Sequence, residues 1–258
     1  MYKRLLKLAT ILLLLMAIVG CGVVTPDEVD SEVNIYLLED LPSRNLKMYF
    51  ETARNYGVCD NTIDLSWNKT PMGFDISFKG VLEHGILTAI GPATVTIDLG
   101  VLNTGNYQLT LRNGQEKFSG VLSVFSDKYT IRLDSNPAFD FRNSPLNRIP
   151  DNTIWGLVGY RTEETIPLVQ SFFSELIKLG AIKKSFAPGN YNKFKIDKNG
   201  DIVNYNAGYR FSQAFIFYYS EDTSKLDKFL EQWSGLHSEL MQIWIYTDKG
   251  EEFFSWMY

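Results

Sequence analysis

The chain has 258 residues, of which 45% are hydrophobic and 14% aromatic, and its net charge at pH 7 is −5. This length exceeds that of one typical domain, and the apolar content suffices for a packed core in each of two domains. The excess of acidic residues argues against nucleic acid and against an anionic membrane surface as partners, because both carry negative phosphate charge.

The N-terminus has the zones of a bacterial export signal. Lys3, Arg4 and Lys7 provide a positive flank, and residues 8–19 are apolar except for Thr10. This apolar run is shorter than the roughly 20 residues that span a bilayer, and it has the length of a secretory hydrophobic region. The alternative is a short uncleaved helix followed by a chance cysteine. The coincidence of charge, run length and the Gly-Cys pair favours the signal peptide.

The apolar run ends in Ile18-Val19-Gly20-Cys21, which resembles the lipobox of bacterial lipoproteins. The resemblance implies that residues 1–20 are a signal peptide, removed after a diacylglyceryl group is attached to the Cys21 thiol. The new amino terminus is then acylated, and two or three acyl chains together suffice for stable membrane anchoring. Cys59 remains as the other cysteine, so the resemblance also implies that the fold has no internal disulfide.

The residue after the cysteine bears on localisation. In Gram-negative lipoproteins, an Asp at that position tends to retain the protein at the inner membrane, and this chain has Gly22 instead. The resemblance therefore implies a lipid-anchored protein of the bacterial cell envelope, with the outer membrane favoured over the inner membrane if the organism is Gram-negative.

Residues 21–42 are predicted to be a lipidated tether, because the stretch 22–33 is polar, acidic and without periodicity. A short helix is predicted to follow at the start of a first domain, residues 43–136. Ser43 supplies its cap and Gly57 its end. Its apolar residues recur at three- and four-residue spacing: Leu46, Tyr49, Phe50, Ala53 and Tyr56.

From Asn61 to Leu133 the apolar residues alternate with polar ones, which is the pattern of half-buried strands. Turn residues divide this region into seven short strands, and that number and spacing predict a β-sandwich. The pair Asn113-Gly114 lies between two alternating segments. It predicts a tight hairpin with a primed turn.

Part of this region resembles bacterial immunoglobulin-like and fibronectin-like modules. The pattern Leu-x-x-Gly-x-Tyr-x-Leu is formed here by Leu102, Gly105, Tyr107 and Leu109. The resemblance covers about a dozen residues. It implies an immunoglobulin-like sandwich in which the tyrosine ring packs in the core and its hydroxyl bonds back to the preceding loop. It identifies no specific named family and implies no function.

Residues 137–151 are rich in Pro and Asn and are predicted to link the two domains. In residues 152–258, strand and helix patterns alternate in the order β-α-β-β-(β)-α-β, which resembles a ferredoxin-like, split βαβ plan. One helix is predicted over residues 165–179 and a second one ends at Gly235. Hairpins are predicted at Asn199-Gly200 and Lys249-Gly250.

No pattern of catalytic or cofactor-binding residues is found. His84 and His237 lie in different predicted domains, and neither has zinc-ligand spacing. Asp197 begins a stretch with calcium-loop spacing, but the required Gly and Glu positions hold Ile202 and Gly208. The pair Glu251-Glu252, like Glu163-Glu164, consists of neighbours, which point to opposite faces of a strand. The sequence therefore predicts no catalytic, cofactor or metal site.

Aromatic residues are the remaining candidates for a contact surface. Tyr205, Tyr209 and Phe211 lie in a polar stretch, and Trp256 lies near the C-terminus. Exposed rings can stack on sugars or accept a partner, although such rings more often cover the edge of a core.

Two functions are consistent with these features. The favoured one is a membrane-anchored, non-catalytic binding or scaffolding module for a protein or glycan partner. The alternative is an envelope hydrolase that uses carboxylates at the domain junction. A cleft with two facing carboxylates would favour the hydrolase, and an exposed aromatic patch without such a cleft would favour binding.

Overall fold

The structure is a computed structural model. It describes residues 28–57, 60–82, 89–134, 138–203 and 208–258. The predicted signal peptide and the positions Cys21, Cys59, His84 and Tyr205 lie outside the described residues. Within those residues, no helix combines the length and the apolar character needed to cross a membrane.

Strands dominate the described part of the chain. They are β1 Val33–Asp40, β2 Asn45–Tyr56, β3 Thr62–Thr70, β4 Gly73–Leu82, β5 Gly91–Gly100, β6 Gly105–Asn113, β7 Glu116–Val124, β8 Lys128–Leu133, β9 Phe139–Phe141, β10 Leu146–Asn147, β11 Thr153–Tyr160, β12 Ile182–Lys183, β13 Gly189–Asn190, β14 Lys195–Ile196, β15 Ile202–Val203, β16 Phe211–Tyr218, β17 Met241–Thr247 and β18 Glu252–Phe254. The helices are α1 Ile166–Lys178 and α2 Ser224–His237, with 3₁₀ turns at Glu163–Thr165 and Ser255–Met257.

The larger sheet folds over on itself to enclose a core. Its strand order is β15-β14-β13-β10-β8-β7-β6-β4-β3-β5-β2-β1-β9. Phe50 of β2 meets Phe78 of β4 edge-on, with ring centroids 5.4 Å apart. Phe139 of β9 meets Phe118 of β7 at the same centroid distance. Strands distant in the order thus face each other, and the result is a β-rich, sandwich-like fold.

The hairpin predicted at Asn113-Gly114 is confirmed. Asn113 pairs with Glu116 at the end of the β6–β7 ladder, and Gly114 has a φ of 57°. A positive φ at the first central residue is the feature of a primed turn, and glycine adopts it without a steric cost.

The prediction of a helix after Ser43 is wrong, because this segment is strand β2. Leu46, Met48 and Phe50 are fully buried and alternate with residues that are only half-buried. Period two therefore governs the segment, and the three- and four-residue spacing was coincidental. Strand β1 likewise lies inside the range predicted as tether, and it pairs along its whole length with β2.

The segment predicted as an interdomain linker also belongs to the large sheet. It contains β9, which runs parallel to β1, and β10, which runs antiparallel to β8. Between them, the Asn143 amide donates to Leu37 O at 2.7 Å and accepts from Leu37 N at 2.8 Å. Ser144 Oγ accepts from Ile131 N at 2.9 Å. Side chains thus replace a backbone ladder here, and the aperiodic sequence closes the gap between β1 and β8.

The smaller sheet is antiparallel, with strand order β12-β16-β11-β17-β18. Helices α1 and α2 cover one face, where Phe172 and Leu230 share a core with Val158 of β11. Both predicted helices are confirmed, although α2 continues beyond Gly235 to His237. The hairpins at Asn199-Gly200 and Lys249-Gly250 are confirmed as well.

Candidate functional site

A cavity of about 460 Å³ lies where the two sheets meet. Its walls come from the turn between β1 and β2, from Trp155 of β11, from Asn192 and Lys193, and from the β17–β18 hairpin. An apolar cluster that includes Leu41, Trp155 and Phe194 supports it from beneath. The cavity has the size of ordinary small-ligand sites.

Two tight turns form opposite sides of the cavity and touch each other. In the first, Arg44 has a φ of 57° and its amide donates to Asp40 O at 2.6 Å. In the second, Thr247 Oγ1 accepts from the Glu251 amide at 3.1 Å. A Cβ at Gly250 would lie 2.6 Å from Pro42 Cγ, so this contact between the turns requires glycine.

A buried carboxylate fixes the first turn. Glu39 is 4% exposed, and its Oε1 accepts from Tyr129 Oη and from Arg148 Nε, each at 2.9 Å. Its Oε2 accepts from Arg44 Nη1 at 3.3 Å. Burial raises the pKa of the Tyr129 hydroxyl, and the charge of Glu39 raises it further, so Tyr129 remains a neutral donor.

Arg44 extends this network to the smaller sheet. Its guanidinium donates to Asp151 Oδ1 at 3.0 Å and lies 3.6 Å from Asp248 Oδ2. Burial raises the pKa of the Asp248 carboxyl, whose Oδ1 accepts from the Thr153 amide at 3.1 Å. The network therefore joins the β1–β2 turn to the first strand of the smaller sheet.

Aromatic rings form the apolar wall of the cavity. Trp155 is 2% exposed, and the Tyr246 ring stacks on it with centroids 5.8 Å apart and an interplanar angle of 16°. Trp155 Nε1 has no hydrogen-bond acceptor among the described residues. A buried donor without an acceptor costs about 1–3 kcal/mol, which a water or a ligand oxygen can offset.

The carboxylates of the cavity wall are held as hydrogen-bond acceptors. Ser43 Oγ donates to Asp40 Oδ2 at 2.6 Å, and this bond lowers the pKa of the Asp40 carboxyl. Glu251 accepts from Thr223 Oγ1 at 3.0 Å and from Thr247 Oγ1 at 3.2 Å. A glycosidase needs one carboxyl with a raised pKa as its general acid. The pKa of the Asp40 carboxyl is lowered instead of raised. The Glu39 carboxylate accepts hydrogen bonds from three donors.

Of the three predicted aromatic residues that the structure describes, it brings together Tyr209 and Trp256 and separates Phe211. Trp244 lies between Tyr209 and Trp256, with centroid distances of 5.7 and 5.2 Å. Phe211 instead stacks on Tyr160 and packs with the helix-covered core. Trp244 is a further ring that was not predicted, although its alternation with Tyr246 in β17 places both rings on one sheet face.

The other candidates from the sequence have structural roles. The Asp197 carboxylate accepts from the Asn199 and Asp201 amides at 2.8 and 2.9 Å, which forms the predicted turn and lowers the pKa of Asp197. The His237 ring lies 4.9 Å from the Trp233 ring in the last turn of α2.

Comparison with protein-family models, curated proteins and solved structures finds no match to this chain. The cavity wall combines two stacked rings, an indole donor that has no acceptor among the described residues, an amide, lysines and oriented carboxylates.

Proposed function

We propose that this chain is a lipid-anchored protein of the bacterial cell envelope that binds a glycan at the domain junction without cleaving it. The lipobox-like sequence ending at Cys21 supports the anchor. Mass spectrometry of the native protein is expected to find an acylated amino terminus at Cys21. An intact Met1 would contradict the anchoring.

The observation that carries glycan binding is the pairing of flat aromatic rings with fixed polar groups in one cavity. Sugars present C–H faces that pack on aromatic rings and hydroxyls that both donate and accept hydrogen bonds. Tyr246 provides the accessible ring, and the buried Trp155 indole supports it from behind. Asn192, Glu251 and Lys193 provide donors and acceptors around them. A protein partner would not need such an enclosed polar rim.

Two finer features of the fold belong to the same proposal. The first domain is an immunoglobulin-like sandwich, which is supported by the bond of 2.9 Å from Tyr107 Oη to Asn103 O, four residues upstream. The second domain follows a ferredoxin-like plan. The neighbouring order β12-β16-β11-β17, with α1 and α2 on one face, supports this plan. Neither architecture selects a function by itself.

Binding is tested with the purified full chain in detergent, by calorimetry against a panel of neutral oligosaccharides. Tyr246→Ala is expected to weaken binding at least tenfold, because it removes the half-buried and more accessible ring of the stacked pair. Tyr56→Ala is the matched control, since Tyr56 lies at the far end of β2. Equal weakening by both variants, or no binding to any oligosaccharide, would contradict a glycan site at the junction.

The hydrolase remains the second candidate because Glu39, Asp40, Glu251 and Glu252 all line the cavity. The same incubations are assayed for new reducing ends. We expect none, and we expect Glu251→Gln to bind glycan with little change because Gln keeps an acceptor at that position. New reducing ends that disappear in Glu251→Gln would establish the hydrolase instead.

A further inference from the structure

A series of aromatic rings extends from the junction cavity along strands β17 and β18 of the smaller sheet. Each ring in this aromatic row contacts the next, with centroid distances between 4.6 and 5.8 Å. In order of contact, the described rings of the row are Trp155, Tyr246, Phe254, Trp256, Trp244 and Tyr209.

The aromatic row lies on the sheet face that the helices do not cover. Trp155 pairs with Tyr246 across β11 and β17, and Trp244 pairs with Phe254 across β17 and β18. The alternate residues of β17, such as Ile243, are buried against the helices, so the pleat directs these rings to the opposite face.

Trp256 is the most exposed ring of the aromatic row. Trp256 is 48% exposed and stacks on Phe254 at 4.6 Å with an interplanar angle of 4°. Tyr209 reaches the row by crossing Gly159, where a Cβ would lie 2.6 Å from the Tyr209 ring. The row therefore begins at the buried Trp155 ring in the cavity wall, and Trp256 is its exposed ring, while the other four rings are half-buried.

The charges of the cavity wall disfavour an acidic ligand. Asp40 and Lys47 pair with each other at 3.4 Å, and Glu39 is neutralised by arginines. The remaining charged residues of the cavity wall are one cation, Lys193, and two anions, Glu251 and Glu252. The net charge of the wall is therefore negative. Glycans that carry carboxylates would be repelled at this wall.

We infer that the ligand is an extended neutral glycan chain, held at one end in the junction cavity and stacked along the aromatic row as far as Trp256. This inference rests on the proposed function and adds to it the length and the charge of the ligand. It predicts that affinity rises with chain length, because added sugar units contact rings that a short ligand cannot reach.

The test compares disaccharides with hexasaccharides of glucose, mannose, xylose and N-acetylglucosamine, and with a galacturonate hexamer, on the full chain in detergent. The best neutral hexamer is expected to bind at least tenfold more tightly than its dimer. Trp256→Ala is expected to remove most of this gain and to leave dimer affinity unchanged. Trp67→Ala is the control, because Trp67 is a 38% exposed tryptophan on β3 of the other domain.

A second measurement does not depend on any variant. The indole N–H resonance of Trp256 is expected to shift when the hexamer is added and to stay in place with the dimer. Equal affinities of dimer and hexamer, or tighter binding of the galacturonate hexamer, would overturn the inference while leaving glycan binding at the junction intact. Absence of binding to every oligosaccharide would overturn the proposed function and the inference together.

Discussion

Glu39→Gln is expected to lower the free energy of unfolding by about 3 kcal/mol. The substitution removes the negative charge that faces Arg44 and Arg148. It also replaces an acceptor of Tyr129 and Arg148 by a group with a single acceptor oxygen. Because the two arginines are 21% and 27% exposed, they regain some hydration, which places the loss at the lower end for a broken buried ion pair.

The matched control for this substitution is Glu175→Gln. Glu175 also pairs with a cation, Lys178 at 2.7 Å, but the two side chains are 45% and 71% exposed. Exposed pairs contribute at most about 1 kcal/mol, so this variant is expected to unfold almost as the parent does. Urea unfolding followed by circular dichroism measures both. Equal stability losses in the two variants would mean that the Glu39 network does not stabilise the junction.

The Glu39 variant is also expected to affect the cavity. Arg44 connects the β1–β2 turn to Asp151, which precedes β11, and to Asp248, which follows β17. When Glu39 loses its charge, the turn loses one of the contacts that hold its Pro42 against the β17–β18 hairpin. A drop in affinity for the best neutral oligosaccharide should therefore accompany the loss of stability.

Gly156→Ala is expected to lower the free energy of unfolding of the smaller sheet by more than about 3 kcal/mol, beyond the usual range for overpacking. A Cβ at Gly156 would lie 1.8 Å from the Trp244 carbonyl oxygen and 2.7 Å from Phe215 Cζ. The phenylalanine ring can turn aside, but the carbonyl is part of the β11–β17 ladder. Room for a methyl group arises only if the central strands of the sheet move apart.

Gly235→Ala is the matched control: it adds the same methyl group but is expected to change stability in the opposite direction. Gly235 lies in α2, is exposed, and has no atom within 4 Å of an added Cβ. Alanine is favoured over glycine in a helix by about 1 kcal/mol, so this variant is expected to be slightly more stable. Thermal unfolding of both variants and of the parent measures these differences in stability. A Gly156 variant as stable as the parent would show that the strands tolerate the added methyl group.

Local patterns predicted much of the fold. The Asn113-Gly114 hairpin, the two helices and the hairpin at Lys249-Gly250 each depend on residues that are neighbours in the chain. The helix predicted after Ser43 failed because Leu46, Phe50 and their neighbours fit both a helical and an alternating pattern. Only the pairing of β2 with β1 and β5 decides between the two.

The candidate site was predicted far less well than the fold. Glu39 and Glu251 are 212 positions apart in the sequence, yet both line the same cavity. No local pattern marks Glu39 as the centre of an ion-pair network, because its partners come from β8, from the β1–β2 turn and from the segment after β10. The hydrogen bonds between Asn143 and Leu37 could not be predicted from the sequence for the same reason.

The sequence by itself determined the acidic charge, the lipobox-like N-terminus, the alternation that makes strands and the two amphipathic helices. Each of these is a property of residues close together in the chain. The tertiary structure alone decided that the sheet closes through residues 139–147, that two turns meet at Pro42 and Gly250, and that six rings form one row. Those arrangements depend on contacts between distant segments, whose free energy no local pattern encodes.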